Sequence, residues 1–176
     1  MSETVIINFK HPLILQSDFK DQLSEIFFEA SAKKEFKDQK EKDVFFWKYV
    51  GFYLSHYPEY AWLAVQDGKV LGYVLGMPFT QDPSLYAIQP HLQAFQEHFK
   101  TYSAHLHVNC HVNARGHGVG KKLVLQLMDQ LKDQKVPGLH IMTAPDSDNK
   151  IFYQKLGFDF EVVLNSILLM GTRIAD

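Results

Sequence analysis

One stretch of this sequence restricts the fold more than any other. Polar and apolar residues alternate over residues 104–112, which predicts a half-buried β-strand. The turn Arg115-Gly116-His117-Gly118-Val119-Gly120 comes next. Leucines then follow Val119 at intervals of four, the spacing of a buried helix face: Leu123, Leu127 and Leu131. A strand that leads through a tight glycine turn into a helix is typical of α/β folds.

The alternation divides the strand at 104–112 into two faces. The polar face carries His105, His107, Asn109 and His111, and the apolar face carries Leu106, Val108, Cys110 and Val112. This pattern predicts that Cys110 is a buried structural residue rather than a nucleophile. No carboxylate or cysteine stands at ligand spacing from the histidines, so no metal site is expected.

Further strands and helices are predicted around this segment. Ser17 or Asp18 is expected to cap a helix from Phe19 to Ala30, and Asp67-Gly68 supplies the positive φ angles of a hairpin turn. The other predicted elements are strands at 4–9, 60–66, 69–77 and 139–143, helices at 44–53 and 146–156, a charged connection at 33–43, a helical insertion at about 80–101 and a strand pair at 158–170. This order indicates a mixed α/β (α+β) sheet in a single domain over residues 1–176.

Composition excludes several classes of function. The net charge of -2 argues against nucleic-acid binding through bulk positive charge. No apolar run approaches the roughly 20 residues that span a bilayer, so no membrane partner is expected. Cys110 is the only cysteine, and the first residues lack a signal-peptide pattern, so we expect a cytoplasmic protein, either a monomer or a homodimer.

The glycine turn favours binding of an anion. Glycines allow close approach of the backbone to a ligand, and a helix start offers unpaired N–H groups and a partial positive charge. The segment reads G-x-G-x-G, which matches neither the dinucleotide fingerprint nor the phosphate loop of nucleotide-binding folds. The sequence therefore predicts that this turn binds a pyrophosphate, in a site unlike those of the classical nucleotide-binding folds.

Two motifs in order resemble the GCN5-related N-acetyltransferase (GNAT) superfamily. Arg115-x-x-Gly118-x-Gly120 resembles its acyl-CoA pyrophosphate loop, and Phe152-Tyr153-Gln-Lys-Leu-Gly157-Phe158 resembles its second hallmark. A narrower likeness is to bacterial acetyltransferases related to the acetyltransferase-like domain of protein O-GlcNAcase. The segments that carry it are 58–60 with 72–76, 102–109 and 136–140.

The resemblance implies a fold, a co-substrate and roles for particular residues. The fold would be a twisted sheet of about seven strands with a splayed opening for acetyl-CoA beside the strand at 104–112. That strand would pair with the pantetheine arm near Cys110, His111 and Val112. The pyrophosphate would lie on the loop residues Arg115, Gly116, His117, Gly118, Val119 and Gly120. Tyr153 would act as the general acid for the departing thiolate.

Other roles stay open at the level of sequence. The related bacterial sequences carry an aspartate where this chain has Asn109, which can position an amine but cannot accept its proton. His111 or His107 could serve as the base, directly or through water, although strand histidines are more often structural. Either Asp146 or Asn149 would hydrogen-bond the pantetheine arm.

The resemblance thus predicts an enzyme that transfers an acetyl group from acetyl-CoA to a primary amine. The alternatives are a non-catalytic acyl-CoA-binding module and an accessory subunit whose aromatic helices dock a partner. The aromatic stretch at 45–53 is expected to belong mainly to the core.

Overall fold

The computed structural model describes residues 3–15 and 18–174, so Ser17 lies outside the described residues. The strands are β1 (Val5–Asn8), β2 (Ala61–Gln66), β3 (Lys69–Met77), β4 (Ala104–Cys110), β5 (Gly138–Thr143), β6 (Phe160–Leu164) and β7 (Ile167–Arg173). The α-helices are α1 (Pro12–Leu15), α2 (Phe19–Ala30), α3 (Gln39–Phe46), α4 (Phe52–His56), α5 (Pro83–Ile88), α6 (Val119–Asp133) and α7 (Lys150–Gln154). A π-helical turn at Trp47–Gly51 joins α3 to α4, and a 3-10 helix covers Pro90–Lys100.

The strands form one mixed seven-stranded sheet in the order β1-β2-β3-β4-β5-β7-β6. Neighbouring strands β1 and β2, β2 and β3, β5 and β7, and β6 and β7 pair antiparallel. Strands β4 and β5 pair in parallel through Ala104↔Leu139 and His105↔His140. The predicted mixed α/β sheet of about seven strands is therefore confirmed.

The chain divides into two compact units, and each is described by itself. The first comprises Met1–Gly76 with His107–Leu127, and the second comprises Met77–Leu106 with Met128–Asp176. The prediction of a single domain over residues 1–176 stays a prediction.

In the first unit, helices cover both faces of the sheet. Side chains alternate along β3, so Gly72 and Gly76 share one face and Tyr73 lies on the other. A Cβ on Gly76 would lie 2.6 Å from Leu127 of α6, so that helix packs directly on the backbone of β3. On the Tyr73 face, Gln22 of α2 accepts a hydrogen bond from the N–H of Val70 at 2.8 Å.

In the second unit, the segment between β3 and β4, residues 78–103, packs onto the sheet through aromatic rings. Phe99 stacks on His140 with ring centroids 4.8 Å apart, and Tyr102 stacks on Phe160 at 4.8 Å. A Cβ on Gly171 would lie 2.7 Å from the Tyr102 ring, so the absence of a side chain there makes room for the tyrosine.

Several element predictions were wrong in their bounds. The insertion does not form one amphipathic helix, because Pro90 separates α5 from the 3-10 helix. Helix α3 begins at Gln39, inside the predicted charged connection, because Asp38 caps it by accepting from the N–H of Glu41 at 2.8 Å. Helix α7 is shorter than predicted. Asp18 occupies the N-cap of α2 but makes no side-chain capping bond.

The contact between α6 and β3 generates a stability prediction. Leu127→Ala is expected to lower the free energy of unfolding by about 3 kcal/mol, because it leaves a cavity at a fully buried position. Leu125→Ala on the same helix is the matched control, since Leu125 is 38% exposed and should cost less than about 1 kcal/mol. Urea denaturation of both variants measures the difference, and equal costs would contradict the packing described.

Candidate functional site

The glycine turn after β4 is an exposed loop held at both ends by buried residues. A 3-10 turn at Val112–Ala114 follows the strand, and Arg115 is extended with φ -67 and ψ 146. Gly116 and Gly118 both have φ +78, a conformation that other residues rarely adopt. A Cβ at either glycine would meet no atom within 4 Å, so the space above the loop is open. Ala114 and Val119 are buried and fix the loop to the core.

The loop ends at the N-terminus of a long, well-anchored helix. The N–H of Lys122 donates to the carbonyl of Gly118 at 3.0 Å, which places Val119, Gly120 and Lys121 in the first turn. N–H groups of a first turn have no acceptor within the helix and point outward with a partial positive charge. The predicted buried face of this helix is confirmed, because it carries four buried side chains: Val119, Leu123, Leu127 and Leu131.

Side chains of the loop brace its own backbone. The Nε of Arg115 donates to the carbonyl of Cys110 at 3.2 Å, which leaves the rest of its exposed guanidinium for other acceptors. The Nδ1–H of His117 donates to the carbonyl of Arg115 at 2.9 Å. The arrangement suits a pyrophosphate, which needs N–H donors, a nearby cation and an unobstructed approach.

The end of β4 presents its backbone groups in two directions. The N–H of His111 donates to the carbonyl of Leu71 on β3 at 2.9 Å. Backbone groups of successive residues alternate in direction along a strand, so those of Cys110, the last residue of β4, point away from β3. The N–H of His111 is therefore already bonded to β3, and the pairing of a pantetheine arm near Cys110, His111 and Val112 stays a prediction.

Cys110 is half-buried rather than fully buried as predicted. It sits opposite Gly72, where a Cβ would lie 2.9 Å from its Sγ and 2.8 Å from the carbonyl oxygen of Asn109. Burial raises the pKa of the Cys110 thiol, and the positive charge of Arg115 offsets part of that rise. A thiol with a raised pKa is a poor nucleophile near neutral pH, in agreement with a structural role.

Asn109 is held by a tyrosine that sequence reasoning missed. Its Nδ2 donates to the Tyr73 hydroxyl at 2.8 Å, and Tyr73 is almost fully buried. Burial raises the pKa of Tyr73 well above its ordinary value, so the phenol stays neutral. With Nδ2 engaged, the Asn109 carbonyl oxygen remains to accept a hydrogen bond. The signal for Tyr73 was its position after Gly72 on the predicted hairpin.

The strand histidines have three different environments. His105 is buried, and its Nδ1 lies 2.9 Å from Thr80 Oγ1, which itself donates to the carbonyl of Ser103. His107 is half-buried, and its Nε2 lies 3.1 Å from the hydroxyl of Tyr53. His111 lies beyond the last residue of β4, and its Nδ1 accepts from the N–H of Asn113 at 3.2 Å. The prediction that His111 continues the strand face is wrong.

His111 borders a groove rather than the Tyr73 surface. This groove has a volume of about 400 Å³ and is lined by Gln22, Glu25, Ile26, Lys69, Val70, Leu71, His111 and Asn113. His107 instead contacts the rings of Tyr49 and Tyr53. The two histidines therefore serve different surfaces of the first unit.

The second unit contains the remaining predicted residues. Tyr153 lies on α7, is 6% exposed and contacts the rings of Phe152 and Phe158. Gly157, with φ +90, ends this turn as predicted for a C′ glycine. Asn149 stands at the N-cap of α7 and accepts from Thr143 Oγ1 of β5 at 3.1 Å, and the side chains of Asn149 and Asp146 are both exposed. Of these two residues, Asn149 is therefore the one that is hydrogen-bonded to the end of a strand.

Comparison with known proteins agrees with the fold. The model of the acetyltransferase (GNAT) family matches residues 18–158. The crystal structure of SsHAT is similar over 99% of this chain and 100% of that chain, with 20% identity and a TM-score of 0.78. None of the curated proteins matches the sequence.

Two further solved structures are similar in fold. PaiA N-acetyltransferase from Thermoplasma acidophilum, in complex with coenzyme A, has 14% identity and a TM-score of 0.64 over 98% of this chain and 99% of that one. The ribosomal-protein-S18-alanine N-acetyltransferase from Escherichia coli has 15% identity and a TM-score of 0.58 over 99% of this chain and 96% of that one.

Two other kinds of feature are absent from the described residues, 3–15 and 18–174. Within them, no three histidine, cysteine or acidic side chains gather as a metal site would require. No helix among them has the length and apolar character needed to cross a bilayer.

The raised pKa of Cys110 generates a prediction about its alkylation. Because only the thiolate reacts, the rate with iodoacetamide should be low at pH 7.5 and should rise only as the pH passes above the ordinary thiol pKa of 9.0. A short unstructured cysteine peptide, followed by mass spectrometry under the same conditions, is the control. Identical pH profiles for protein and peptide would contradict the environment described.

Proposed function

This chain belongs to the acetyltransferase (GNAT) family, and we propose that it transfers an acetyl group from acetyl-CoA to a primary amine. The observation that carries the proposal is the exposed loop Arg115–Gly120. It combines glycines 116 and 118 at φ +78, open space above them and the first turn of a buried helix. The resemblance of Phe152 to Phe158 to the second family hallmark supports the same co-substrate.

In this proposal the first unit binds acetyl-CoA through backbone groups. The pyrophosphate lies on the N–H groups at the start of α6, and the guanidinium of Arg115 adds a charged donor. The pantetheine arm pairs with the backbone near Cys110 and Val112, where β4 ends and the backbone groups of Cys110 point away from β3. An N–H of the same stretch polarises the thioester carbonyl as negative charge develops on its oxygen.

The proposed reaction is direct transfer in a ternary complex. The neutral amine nitrogen attacks the thioester carbon, an N–C bond forms and the C–S bond breaks. Tyr153 protonates the departing thiolate as general acid, as its place in the family motif implies. The amine gives up its proton to His107, which shares the strand face of Asn109, directly or through water; His111, which borders the neighbouring groove, is the alternative base and would act through water. Asn109, oriented by Tyr73, accepts a hydrogen bond from the amine and directs its lone pair.

Asn149 is the better choice for the hydrogen bond to the pantetheine arm. Its bond to Thr143 holds it beside the end of β5, whereas the exposed side chain of Asp146 has no such anchor. We propose Asn149 for this role and retain Asp146 as the alternative.

Finer features of the proposal rest on sequence alone. We propose that, within the family, this chain is related to the bacterial acetyltransferases that resemble the acetyltransferase-like domain of protein O-GlcNAcase. We also propose a cytoplasmic location, a monomeric or homodimeric state, and no metal, nucleic-acid or membrane partner.

A second candidate is a non-catalytic acyl-CoA-binding module. The amide of Asn109 favours it, because this group stands on the strand face beside His107 and cannot accept a proton. The module would bind acetyl-CoA through the same loop and acetylate no amine. An accessory subunit is a variant of this candidate.

Titration with acetyl-CoA tests the loop. Calorimetry should show binding by the wild-type protein and about tenfold weaker binding by Arg115→Ala, because a charge-assisted hydrogen bond to phosphate is lost. Lys132→Ala, which removes a positive charge from the last turn of α6, is the control and should bind normally. The absence of acetyl-CoA binding would refute the proposal, and binding without turnover on a broad amine panel would favour the second candidate.

Tyr153→Phe tests the acid role. We expect kcat on an accepted amine to fall by about 10²-fold or more, because no proton donor then serves the thiolate. The dissociation constant of acetyl-CoA should stay unchanged. Tyr86→Phe, which removes another tyrosine hydroxyl from the second unit, is the matched control. Full activity of the Tyr153 variant would assign the acid role to another group or to water.

A further inference from the structure

We infer that the acceptor is an arylalkylamine, a primary amine on a flat aromatic body, and that Phe45, Tyr49 and His107 form the wall that binds this body. The inference rests on the proposed function and names the substrate class of that same site. All three side chains belong to the first unit, and these three rings are called the aromatic wall below.

The aromatic wall is a continuous row of rings. The centroids of Phe45 and Tyr49 are 5.1 Å apart at 64°, and those of Tyr49 and His107 are 6.1 Å apart at 84°. These are edge-to-face contacts, the arrangement that aromatic pairs prefer. All three side chains are half-buried, so part of each ring is held by the core while part faces solvent.

The wall is rigidly supported from behind. Tyr53 is fully buried and touches His107 twice, through its hydroxyl at 3.1 Å and through its ring at 5.1 Å. Phe27, also buried, contacts Phe45 at 5.5 Å. Tyr49 lies in the π-helical turn Trp47–Gly51, where the N–H of Phe52 donates to the carbonyl of Trp47. Such turns are rare and frequently occur at functional sites.

The wall lies within reach of the proposed reacting centre. His107 and Asn109 occupy the same face of β4, two residues apart, so their Cα atoms are separated by about 7 Å. An amine held at Asn109 would project its body along this face, and a carbon chain of two or three atoms places an aromatic ring against Tyr49 and His107.

The charges around the wall disfavour a polycationic acceptor. The ammonium group of Lys33 lies 6.0 Å from the Phe45 ring centroid, and that of Lys48 lies 5.1 Å from the Tyr49 ring centroid. These rings therefore already accept cations from the protein itself. A polyamine or an aminoglycoside would add further positive charges beside two lysines.

One of these lysines is already paired with a carboxylate that belongs to α3. Glu41 binds the Lys33 ammonium at 2.6 Å, and this bond lowers the pKa of the glutamate. Asp43 accepts from Gln39 at 2.7 Å, and Asp38 caps the helix. The wall therefore offers apolar rings and the nearby Lys48 ammonium, which suit a ligand with one amine and an apolar body better than one with several amines.

Steady-state kinetics on matched acceptors test the inference. Phenethylamine, hexylamine and spermidine are compared at saturating acetyl-CoA, and kcat/KM should be highest for phenethylamine and lowest for spermidine. Tyr49→Leu should lower kcat/KM for phenethylamine about three- to tenfold while changing that for hexylamine less, because a ring–ring contact is lost. Tyr49→Phe keeps the ring and should keep the preference.

Trp47→Ala is the control, because Trp47 is an exposed ring of the same turn that contacts His56 instead of His107. This variant should leave all three kcat/KM values unchanged. A preference for spermidine, or an equal loss on all three amines in Tyr49→Leu, would overturn the inference. Circular dichroism establishes that each variant is folded.

A separate binding measurement distinguishes failure of the inference from failure of the proposed function. If no amine is acetylated, calorimetry with the CoA-loaded protein still measures whether phenethylamine binds more tightly than spermidine, as the aromatic wall predicts. Tighter binding of phenethylamine that weakens in Tyr49→Leu supports the inference even without turnover. Acetylation of spermidine alone would retain the proposed function and refute the arylalkylamine class.

Discussion

The close approach of β3 and β4 at Gly72 is the constraint on which the first unit depends. Any side chain at this position would meet the carbonyl oxygen of Asn109 at 2.8 Å and the sulfur of Cys110 at 2.9 Å. Because Gly72 has no Cβ, the two strands lie close enough for His111 to bond Leu71. The backbone groups of the neighbouring Cys110 therefore point away from β3, and in the proposed function the co-substrate binds beside them.

The next residue of β3 organises the opposite face of the sheet. Tyr73 points away from Gly72 and holds the amide of Asn109 through a buried hydroxyl. His107, on the same face of β4, is held by the buried Tyr53. Two polar side chains are therefore positioned by two tyrosines whose burial supplies rigidity. In the proposed reaction, this face orients the amine while the backbone at the end of β4 binds the thioester.

Several features of the loop Arg115–Gly120 could be predicted from the local sequence. A glycine turn, a first helical turn and a buried leucine stripe are local features, and each was predicted from residue type and spacing, whereas the positive φ of Gly116 and Gly118 is a finding of the structure. The same reasoning failed for His111, because alternation alone does not reveal where a strand ends. The strand stops at Cys110, and the 3-10 turn that follows sends the His111 ring toward Gln22 and Glu25.

The boundaries of the helices also depended on interactions that a pattern does not display. The capping bond of Asp38 extended α3 into a segment predicted to be a connection, and Pro90 divided the insertion into an α-helix and a 3-10 helix. Similarly, the aromatic stretch at 45–53 was predicted as core. Three residues of this stretch are buried as predicted: Val50, Phe52 and Tyr53. Two others, Phe45 and Tyr49, are only half-buried.

By itself the sequence determined the mixed α/β class, the order of strands and helices, and the glycine loop before α6 for which we propose anion binding. These follow from periodicity and backbone chemistry, which act over a few neighbouring residues. Only the tertiary structure decided that Tyr73 holds Asn109, that Tyr53 holds His107, and that Phe45 and Tyr49 form a wall beside them. Those pairings join residues 36 and 54 positions apart in the chain, and only the packing of helices on strands brings such distant side chains together.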